Sequence, residues 1–325
     1  MKWTVREDVF PIAGVFTISR GSRTEARVVT VELESGGFRG VGECVPYARY
    51  GETVEGVIAD IETFLACNPD CRRKGLQEAM APGAARNALD CAFWDLDSKA
   101  HHCRVWELAR IAPPGPEITA YTLSLAAPAE MEASARKNAH RPLLKIKLGA
   151  GSDDMERLNA VRRGAPEAKI IVDANEGWSV ELYQDIAPLL VEKGVAMVEQ
   201  PLPAADDEAL RGITRPLPIC ADESCHDLVS LKRLVGKYDM INIKLDKTGG
   251  LTEALKLRNA ARAEGFKIMA GCMIGSSLGM APATLVAQGA AFTDLDGPLL
   301  LAADRDHPLT FDEKGVHPPS AELWG

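Results

Sequence analysis

Several features that define other classes of protein are missing from this sequence. It has no block of consecutive lysines and arginines, and its formal net charge is -9, so we expect no binding to nucleic acid. No apolar run approaches the roughly 18 residues of a membrane span, so we expect no membrane insertion. The first ten residues, MKWTVREDVF, carry charges where a signal peptide needs its apolar run, and secretion by that route is not expected.

Cysteine pairs with a recognisable function are also missing. None of the eight cysteines belongs to a C-x-x-C pair, and Cys67 and Cys71 are four residues apart, which is ordinary spacing on a helix. Reduced thiols in a cytosolic protein are the simplest interpretation, so we predict a cytoplasmic location. The sequence does have apolar material for a large core, since 46% of its 325 residues are hydrophobic. This length suits a barrel of about 250 residues together with a smaller domain.

The first third of the chain has the pattern of an α+β domain. From Arg27, the stretch RVVTVELESGGFRGVGECVPY places two strand-like segments around a Gly-Gly turn, which predicts an antiparallel hairpin. Three helix-like segments follow: ETVEGVIADIETFL, PGAARNALDCAFWDLDSKA and RVWELARI. The Pro/Gly segment at 112–117 is the clearest domain boundary. We predict an α+β domain over 1–112, a barrel domain over 117–303, and a C-terminal segment, about 304–325, that packs back on the first domain.

After this boundary, short strand-like segments recur at a nearly constant period. They begin at Ile118, Leu143, Lys169, Val195, Leu217, Asp239, Lys267 and Ala290. Five polar residues at the ends of consecutive segments follow one another at intervals of 26, 26, 23 and 22 residues: Lys147, Asp173, Glu199, Asp222 and Lys244. A strand, a returning helix and two loops need about this length. Eight strands, seven of them followed by helix-like sequence, predict an α/β fold, a closed TIM-like (β/α)7β barrel whose eighth helix is missing or displaced.

Three of these polar residues are acids on consecutive predicted strands. Asp173, Glu199 and Asp222 should converge, because neighbouring strands are about 4.8 Å apart and the chemistry of such barrels lies at the carboxyl ends of the strands. Three buried like charges repel unless a cation lies among them. Oxygen ligands without histidine or cysteine favour a hard ion, Mg²⁺ before Ca²⁺ or Mn²⁺. The alternative for each acid taken singly is a helix N-cap. We predict one Mg²⁺ per subunit.

Lysines flank the predicted metal site. Lys145 and Lys147 alternate with apolar residues in LLKIKLG, and both should point into the barrel mouth, because parallel barrel strands are covered on both sides. Their mutual repulsion and partial burial are expected to lower the pKa of one of them toward neutrality, which suits a general base. Lys244, on the sixth strand, lies across the barrel from the second strand. Two bases, one on each face of a substrate, predict racemisation or epimerisation, whereas a single base would suit elimination.

Together these motifs resemble the enolase superfamily, in its muconate-lactonizing-enzyme branch. The matching stretches are KIK at 145–147, DANEGW at 173–178, VEQPL at 198–202, ADES at 221–224 and NIKLDKTGG at 242–250, with GVGECVPYARYGET and ARNALDCAFWDL in the first domain. The resemblance covers essentially the whole chain and implies an N-terminal capping domain. It also implies these roles: Mg²⁺ ligands Asp173, Glu199 and Asp222; acid/base catalysts Lys147 and Lys244; and Lys145 as the residue that lowers the pKa of Lys147.

The eighth strand should indicate which reaction of the branch applies. The branch includes cycloisomerisation, dehydration to o-succinylbenzoate, N-acylamino-acid racemisation and dipeptide epimerisation. In TDLDGPLLL, Asp294 and Asp296 are two residues apart on a predicted strand, so both should face the mouth. Two additional carboxylates need a cation, which the free α-ammonium group of a substrate supplies. A D-x-D pair at this strand is also what the dipeptide epimerases of the family have.

The remaining substrate contacts are predicted from loops. SRGSRTEAR at 19–27 is interpreted as a loop, and an arginine there would pair with a side-chain carboxylate at the second position of the dipeptide. The resemblance to Ala-Glu epimerases leaves Arg20 and Arg23 both eligible. Thr122, at the end of the first barrel strand, and Cys272 and Met273, in GCMIG, match other substrate-contact positions of the family.

We therefore predict an Mg²⁺-dependent dipeptide epimerase, an isomerase that acts on L-Ala-D/L-Glu from cell-wall peptide turnover. Lys147 and Lys244 would exchange the α-proton of the C-terminal residue through a metal-stabilised enediolate. The alternatives are an N-acylamino-acid racemase, an o-succinylbenzoate synthase, a catalytically silent barrel used for binding or scaffolding, and a phosphate-binding aldolase barrel with a Schiff-base lysine. A small dipeptide is the expected partner. The sequence leaves open the choice between monomer and homo-oligomer, the breadth of specificity and the pathway.

Overall fold

Three antiparallel strands begin the structure. The computed structural model describes residues 1–149, 151 and 153–325. The first strands pair in the order β1-β2-β3, with bounds Lys2–Ile18, Gly21–Ser35 and Phe38–Cys44. A 3₁₀ turn and four helices follow: Ala48–Tyr50, α1 Val54–Cys67, α2 Arg73–Ala79, α3 Ala84–Ala100 and α4 Val105–Leu108. This part of the chain is an α+β unit, as the sequence pattern predicts.

The sequence pattern predicts the hairpin of β2 and β3, which the structure confirms, but not strand β1 or the first residues of β2. The predicted strand begins at Arg27 and residues 19–27 are predicted as a loop, whereas β2 already begins at Gly21 and pairs with the end of β1. The first five residues of β2 are exposed. Pairing satisfies their backbone groups without burying side chains, so no apolar alternation marks this part of the strand. The loop prediction is therefore wrong, and only Ser19 and Arg20 form the turn.

Helix α3 packs closely on this sheet. The contact is close because Gly40 and Gly42 of β3 face the helix, and a Cβ on Gly42 would overlap the carbonyl oxygen of Ala88 and lie 2.7 Å from Ala92 N. Apolar side chains from both elements surround the contact: Val29, Val31, Leu33, Leu89 and Phe93. The packing fixes the position of the three-stranded sheet.

Eight parallel strands form the second unit. Their bounds are β4 Tyr121–Leu123, β5 Leu143–Lys147, β6 Lys169–Asp173, β7 Val195–Glu199, β8 Ile219–Ala221, β9 Met240–Ile243, β10 Lys267–Gly271 and β11 Phe292–Asp294. Each strand pairs with its neighbours in chain order. The ring closes where Ala120 N donates a hydrogen bond to Thr293 O at 2.8 Å. The predicted fold class, a (β/α)7β barrel with an N-terminal α+β capping domain, is confirmed.

The connections between the barrel strands are mostly helical. The helices are α5 Pro128–Lys137, α6 Asp154–Gly164, α7 Val180–Glu192, α8 Leu228–Leu234, α9 Leu245–Thr248, α10 Leu251–Ala263, α11 Ser277–Met280 and α12 Ala283–Ala287. The helix predicted between β7 and β8 is wrong, because a 3₁₀ turn, Asp207–Gly212, takes its place. Pro203 and Pro216 leave only twelve residues between them there. After β11 a further 3₁₀ turn, Gly297–Leu300, stands where an eighth helix would begin.

The C-terminal residues return to the first unit. After a short hairpin, β12 Phe311–Asp312 and β13 Gly315–Val316, the chain reaches α3. There Trp324 Nε1 donates a hydrogen bond to Cys91 O at 3.0 Å, and Gly325 N donates to Asp95 Oδ1 at 2.7 Å. Within the described residues, no helix has both the length and the apolar content to cross a bilayer. The limits given above for the two domains stay predictions.

Candidate active site

A cavity of about 460 Å³ opens where the capping domain meets the carboxyl ends of the barrel strands. On the barrel side it is lined by Lys147, at the end of β5, and by Asp222 and Lys244, which directly follow β8 and β9. On the capping side it is lined by the tip of the β1–β2 hairpin, residues 16–23, which includes Arg23. It is also lined by the 3₁₀ turn that includes Tyr50. Parallel barrels carry their chemistry at this end of the strands. The cavity is therefore the candidate active site.

Three buried carboxylates stand at the ends of neighbouring strands beside this cavity. Asp173 and Glu199 are the last residues of β6 and β7, and Asp222 follows β8; their exposed fractions are 0%, 0% and 2%. The parallel register pairs Lys147 with Asp173, and Asp173 with Glu199, so these residues stand at one height. The structure thus places the three acids that the sequence predicts as metal ligands at the ends of three neighbouring strands.

Lysine side chains lie directly on these carboxylates. Lys145 Nζ is 2.6 Å from Glu199 Oε2, 2.7 Å from Asp294 Oδ2 and 3.2 Å from Asp173 Oδ2. Lys147 Nζ is 2.6 Å from Asp173 Oδ2. Both lysines point inward, as predicted from the alternation in LLKIKLG, but only Lys147 lines the cavity. Lys145 lies deeper, among the acids.

Lys244 and a neighbouring lysine hold the third acid. Lys244 Nζ is 2.7 Å from Asp222 Oδ2, and Lys247 Nζ is 2.5 Å from Asp222 Oδ1. Asn242 Nδ2 donates a hydrogen bond to Glu199 Oε1 at 2.6 Å. The sequence reasoning missed Lys247 and Asn242, although both belong to NIKLDKTGG. Their positions could have revealed them. Asn242 is two residues before Lys244, so it faces the same side of the strand, and Lys247 is in the first turn of the helix that follows.

The charges around Lys145 and Lys244 set the pKa values of these two lysines. Burial alone would lower the pKa of Lys145, but the carboxylates of Asp294, Glu199 and Asp173 outweigh burial and raise it well above its usual value. The lysine of KIK with the lowered pKa is therefore not Lys145, and the role that the resemblance gives Lys145, lowering the pKa of Lys147, stays a prediction. Burial would likewise lower the pKa of Lys244, yet the Asp222 and Glu199 carboxylates raise it. Sequence spacing shows the neighbouring ammonium group but not the three carboxylates brought in from other strands.

The donor set fits a hard divalent cation. Asp173, Glu199 and Asp222 offer only oxygen donors, which such ions prefer. Burial, followed by the Asp173 charge, raises the pKa of Glu199 to about 7 even though Lys145 opposes this, so the acids carry a repulsion that a cation would relieve. Within the described ranges, no three acid, histidine or cysteine side chains are arranged around a common metal position, and ammonium groups contact the carboxylates. The ligand assignment stays a prediction.

The D-x-D pair is placed differently from its prediction. Strand β11 ends at Asp294, and Asp296 lies beyond it at the start of the 3₁₀ turn, so the two acids are not on one strand. Both are buried, and Asp296 Oδ2 accepts a hydrogen bond from Thr122 N at 2.6 Å. Burial, and then the charges of Asp294 and Asp296, raise the pKa of the Cys272 thiol well above its usual value. Cys272 and Met273 line the cavity, so the acid pair lies beside that wall.

The two arginines at the hairpin tip have different surroundings. Arg20 Nη2 donates to Glu223 Oε1 at 2.9 Å and to Tyr47 Oη at 3.2 Å, and Arg20 Nη1 donates to Asn175 O at 2.8 Å. The Arg23 guanidinium lies 5.5 Å from the centre of the Tyr47 ring. Counting only partners that the structure describes, the Arg23 side chain has no hydrogen bond or ion pair. Both arginines line the cavity, but Arg20 is already neutralised and Arg23 is not.

Two family models match the chain. One, Enolase C-terminal domain-like, matches residues 129–321, and the other, Mandelate racemase / muconate lactonizing enzyme, N-terminal domain, matches residues 1–109. The chain belongs to the enolase superfamily. The motif-based resemblance is thereby confirmed, including its branch.

Individual relatives of this superfamily member are similar over almost their whole length. The chain is 48% identical over 316 residues to the L-Ala-D/L-Glu epimerase of Escherichia coli (strain K12), covering 96% of this chain and 98% of the relative. It is 42% identical over 301 residues to an N-acetyl-D-glutamate racemase of a Pseudoalteromonas species, covering 92% and 95%. A solved enolase family member from Agrobacterium tumefaciens, with homology to dipeptide epimerases, binds sodium and L-Ala-L-Glu with an ordered loop. It is 54% identical, covers 99% of both chains and has a TM-score of 0.97.

Proposed function

We propose that this chain is a metal-dependent dipeptide epimerase that inverts the α-carbon of the C-terminal residue of L-Ala-D/L-Glu. One observation carries the proposal: Lys147 and Lys244 line the same cavity from opposite sides of the barrel. They lie at the ends of β5 and β9, which are four strands apart in a ring of eight. A substrate α-carbon between them has one amine on each face.

Inversion requires an amine on each face. Lys147 removes the α-proton from one face and Lys244 delivers a proton to the other, or the reverse for the opposite diastereomer. Asp173 and Asp222 orient the two Nζ atoms through the short contacts described above. A divalent cation held by Asp173, Glu199 and Asp222 would stabilise negative charge that develops on the substrate carboxylate.

Charged side chains of the site match the α-ammonium group and the side-chain carboxylate of the dipeptide. Asp294 Oδ1 is buried and has no hydrogen-bond partner within the described residues, and Asp296 has no ion pair there, so the pair can accept an α-ammonium group. Arg23, also without an ion pair in the described part of the chain, is the arginine we assign to the glutamate side chain. Arg20 is committed to Glu223 and is less suited to this role.

Proton NMR in D₂O tests the proposal. Enzyme, Mg²⁺ and L-Ala-L-Glu are incubated, and the glutamate α-proton and both diastereomers are followed. We expect the α-proton signal to disappear while the L-Ala-D-Glu signals grow, and EDTA to stop both changes. If the α-proton persists with L-Ala-L-Glu and across a set of L-Ala-L-Xaa dipeptides, the epimerase proposal fails.

A second candidate is an N-acetylglutamate racemase. The 42% identical relative carries that name, and Lys145 already neutralises part of the Asp294 charge, which weakens the need for a substrate amine. The same NMR experiment with N-acetyl-L-glutamate separates the candidates. We expect kcat/KM to be higher for the dipeptide, and a clear preference for the acetylated amino acid would favour the racemase.

A further inference from the structure

Glu176 of DANEGW has no role in the proposed reaction, yet it is the centre of a cluster at the cavity rim. Arg49 Nε donates to Glu176 Oε2 at 3.0 Å, and Arg49 Nη2 donates to Glu176 Oε1 at 2.9 Å. Arg20 Nη1 donates to Glu176 Oε2 at 3.4 Å, and Ala204 N donates to Glu176 Oε1 at 2.9 Å. One carboxylate of the barrel thus contacts three separate segments.

The backbone at this position adopts an uncommon conformation. Asn175 and Glu176 have φ values of 45° and 66°, the left-handed region that residues with a Cβ adopt at an energetic cost. Two hydrogen bonds hold them there, from Asn175 N to Asp173 Oδ1 at 2.9 Å and from Glu176 N to Gln200 O at 2.9 Å. Such a conformation persists only where its surroundings enforce it. Here the result is a carboxylate that contacts the capping domain.

Both arginines that contact Glu176 belong to segments lining the cavity. Arg20 is in the turn of the long hairpin, and Arg49 is in the 3₁₀ turn Ala48–Tyr50. Arg20 also donates to the Tyr47 hydroxyl, and the Tyr47 ring lies against the Arg23 guanidinium. A continuous set of contacts therefore connects Glu176 to the arginine that we assign to the substrate side chain.

We propose that Glu176 is a positioning residue that holds both capping segments on the barrel mouth and so places Arg23 over the cavity. This inference rests on the proposed function. It makes Glu176 a determinant of selectivity for dipeptides with an acidic second residue. Acting through its charge alone, Glu176 would repel such a substrate, so neutralising it would improve binding. Acting by position, its neutralisation weakens binding, and the two roles predict opposite results.

The variant Glu176→Gln keeps the shape of the side chain and removes the charge. We expect KM for L-Ala-L-Glu to rise about tenfold, with kcat within about threefold of the wild type, because charge-assisted hydrogen bonds to both arginines weaken. KM for L-Ala-L-Leu, which has no side-chain carboxylate for Arg23, should rise by less than about threefold. A KM for L-Ala-L-Glu that is unchanged or lower would overturn the proposal.

Glu32 offers a matched control. It also accepts from two arginines, Arg6 Nη1 at 2.6 Å and Arg39 Nε at 2.9 Å, but at the far end of the same hairpin. Glu32→Gln should leave both KM values unchanged. Arg49→Gln removes one of the two arginines that contact Glu176, at a half-exposed position. Like Glu176→Gln, it should raise the KM for L-Ala-L-Glu.

Hydrogen exchange gives a readout that does not depend on the substrate. Backbone amides at 16–23 should exchange faster in Glu176→Gln than in the wild type or in Glu32→Gln, because the hairpin tip is held less firmly. Equal exchange in all three proteins would overturn the positioning role whatever the kinetics show. A wild type without activity on either dipeptide would instead contradict the proposed function. Faster exchange in Glu176→Gln would, even then, support the role of Glu176 in holding the hairpin tip.

Discussion

Replacement of Asp296 by asparagine separates recognition of the substrate amine from the rest of the site. Asp296 is 3% exposed and its Oδ2 accepts a hydrogen bond from Thr122 N at 2.6 Å. Asparagine has a side-chain oxygen that can keep this hydrogen bond, so the turn after β11 should hold its position. The charge is lost. Because Asp296 contacts neither Lys147 nor Lys244 in the described structure, proton transfer itself should be unaffected.

The magnitude follows from the type of interaction. A hydrogen bond to a charged group contributes about 1.5–3 kcal/mol, which corresponds to a decrease of roughly 10- to 100-fold in kcat/KM for L-Ala-L-Glu. N-acetyl-L-glutamate has no ammonium group. The kcat/KM for N-acetyl-L-glutamate should change by less than about threefold, because the variant removes no group that this substrate contacts.

Both substrates can be followed in one assay. Optical rotation or proton NMR reports epimerisation of the dipeptide and racemisation of the acetylated amino acid under identical conditions. Equal losses for both substrates would show that Asp296 supports the site as a whole and does not recognise the amine. No loss for either substrate would refute the assignment of the acid pair to the α-ammonium group and would favour the racemase candidate.

The remaining predictions concern the two lysines, the packing of α3 on the sheet, and the ionisation of the buried Asp246. Lys147→Ala and Lys244→Ala should each lower epimerisation by about 10²- to 10⁴-fold while retaining α-proton exchange in D₂O for one diastereomer only, a different one in each variant; normal epimerisation by either would disprove the two-base mechanism. Gly42→Ala should lower the free energy of unfolding in urea by about 3 kcal/mol, because its Cβ overlaps the Ala88 carbonyl. Burial raises the pKa of Asp246 to about 7, so its folded form keeps a proton that the unfolded chain releases near pH 4. The free energy of unfolding should therefore fall between pH 4 and 7, by at most about 4 kcal/mol, and Asp246→Asn should remove that part of the pH dependence.

The strand-end residues could be predicted from the sequence because their positions follow from chain length. A barrel repeat fixes the spacing between strand ends, so Asp173, Glu199 and Asp222 could be located without knowing any contact. The fold class followed from the same positions and the family from resemblance to its motifs, and the structure and the comparisons confirm both. Residues outside the repeat, such as Arg23, could not be placed in this way.

Properties that depend on several elements at once could not be predicted from the sequence. The pKa of Lys145 rises because three acids from β6, β7 and β11 surround it, and spacing within KIK contains none of that information. The start of β2 at Gly21 is hidden because its pairing buries no apolar side chain. The role of Glu176 depends on where two turns of another domain come to rest.

The balance of charge around the cavity argues for a substrate with an amine. In the described structure each of four acids contacts at least one lysine: Asp173, Glu199, Asp222 and Asp294 lie against Lys145, Lys147, Lys244 and Lys247. Glu223 is paired with Arg20. Asp296 is left without a cationic partner among the described residues, and Arg23 is left without an anionic one. A molecule with one ammonium group and one side-chain carboxylate would pair with both residues. An L-Ala-Glu dipeptide has both groups, whereas an N-acylated glutamate lacks the ammonium group.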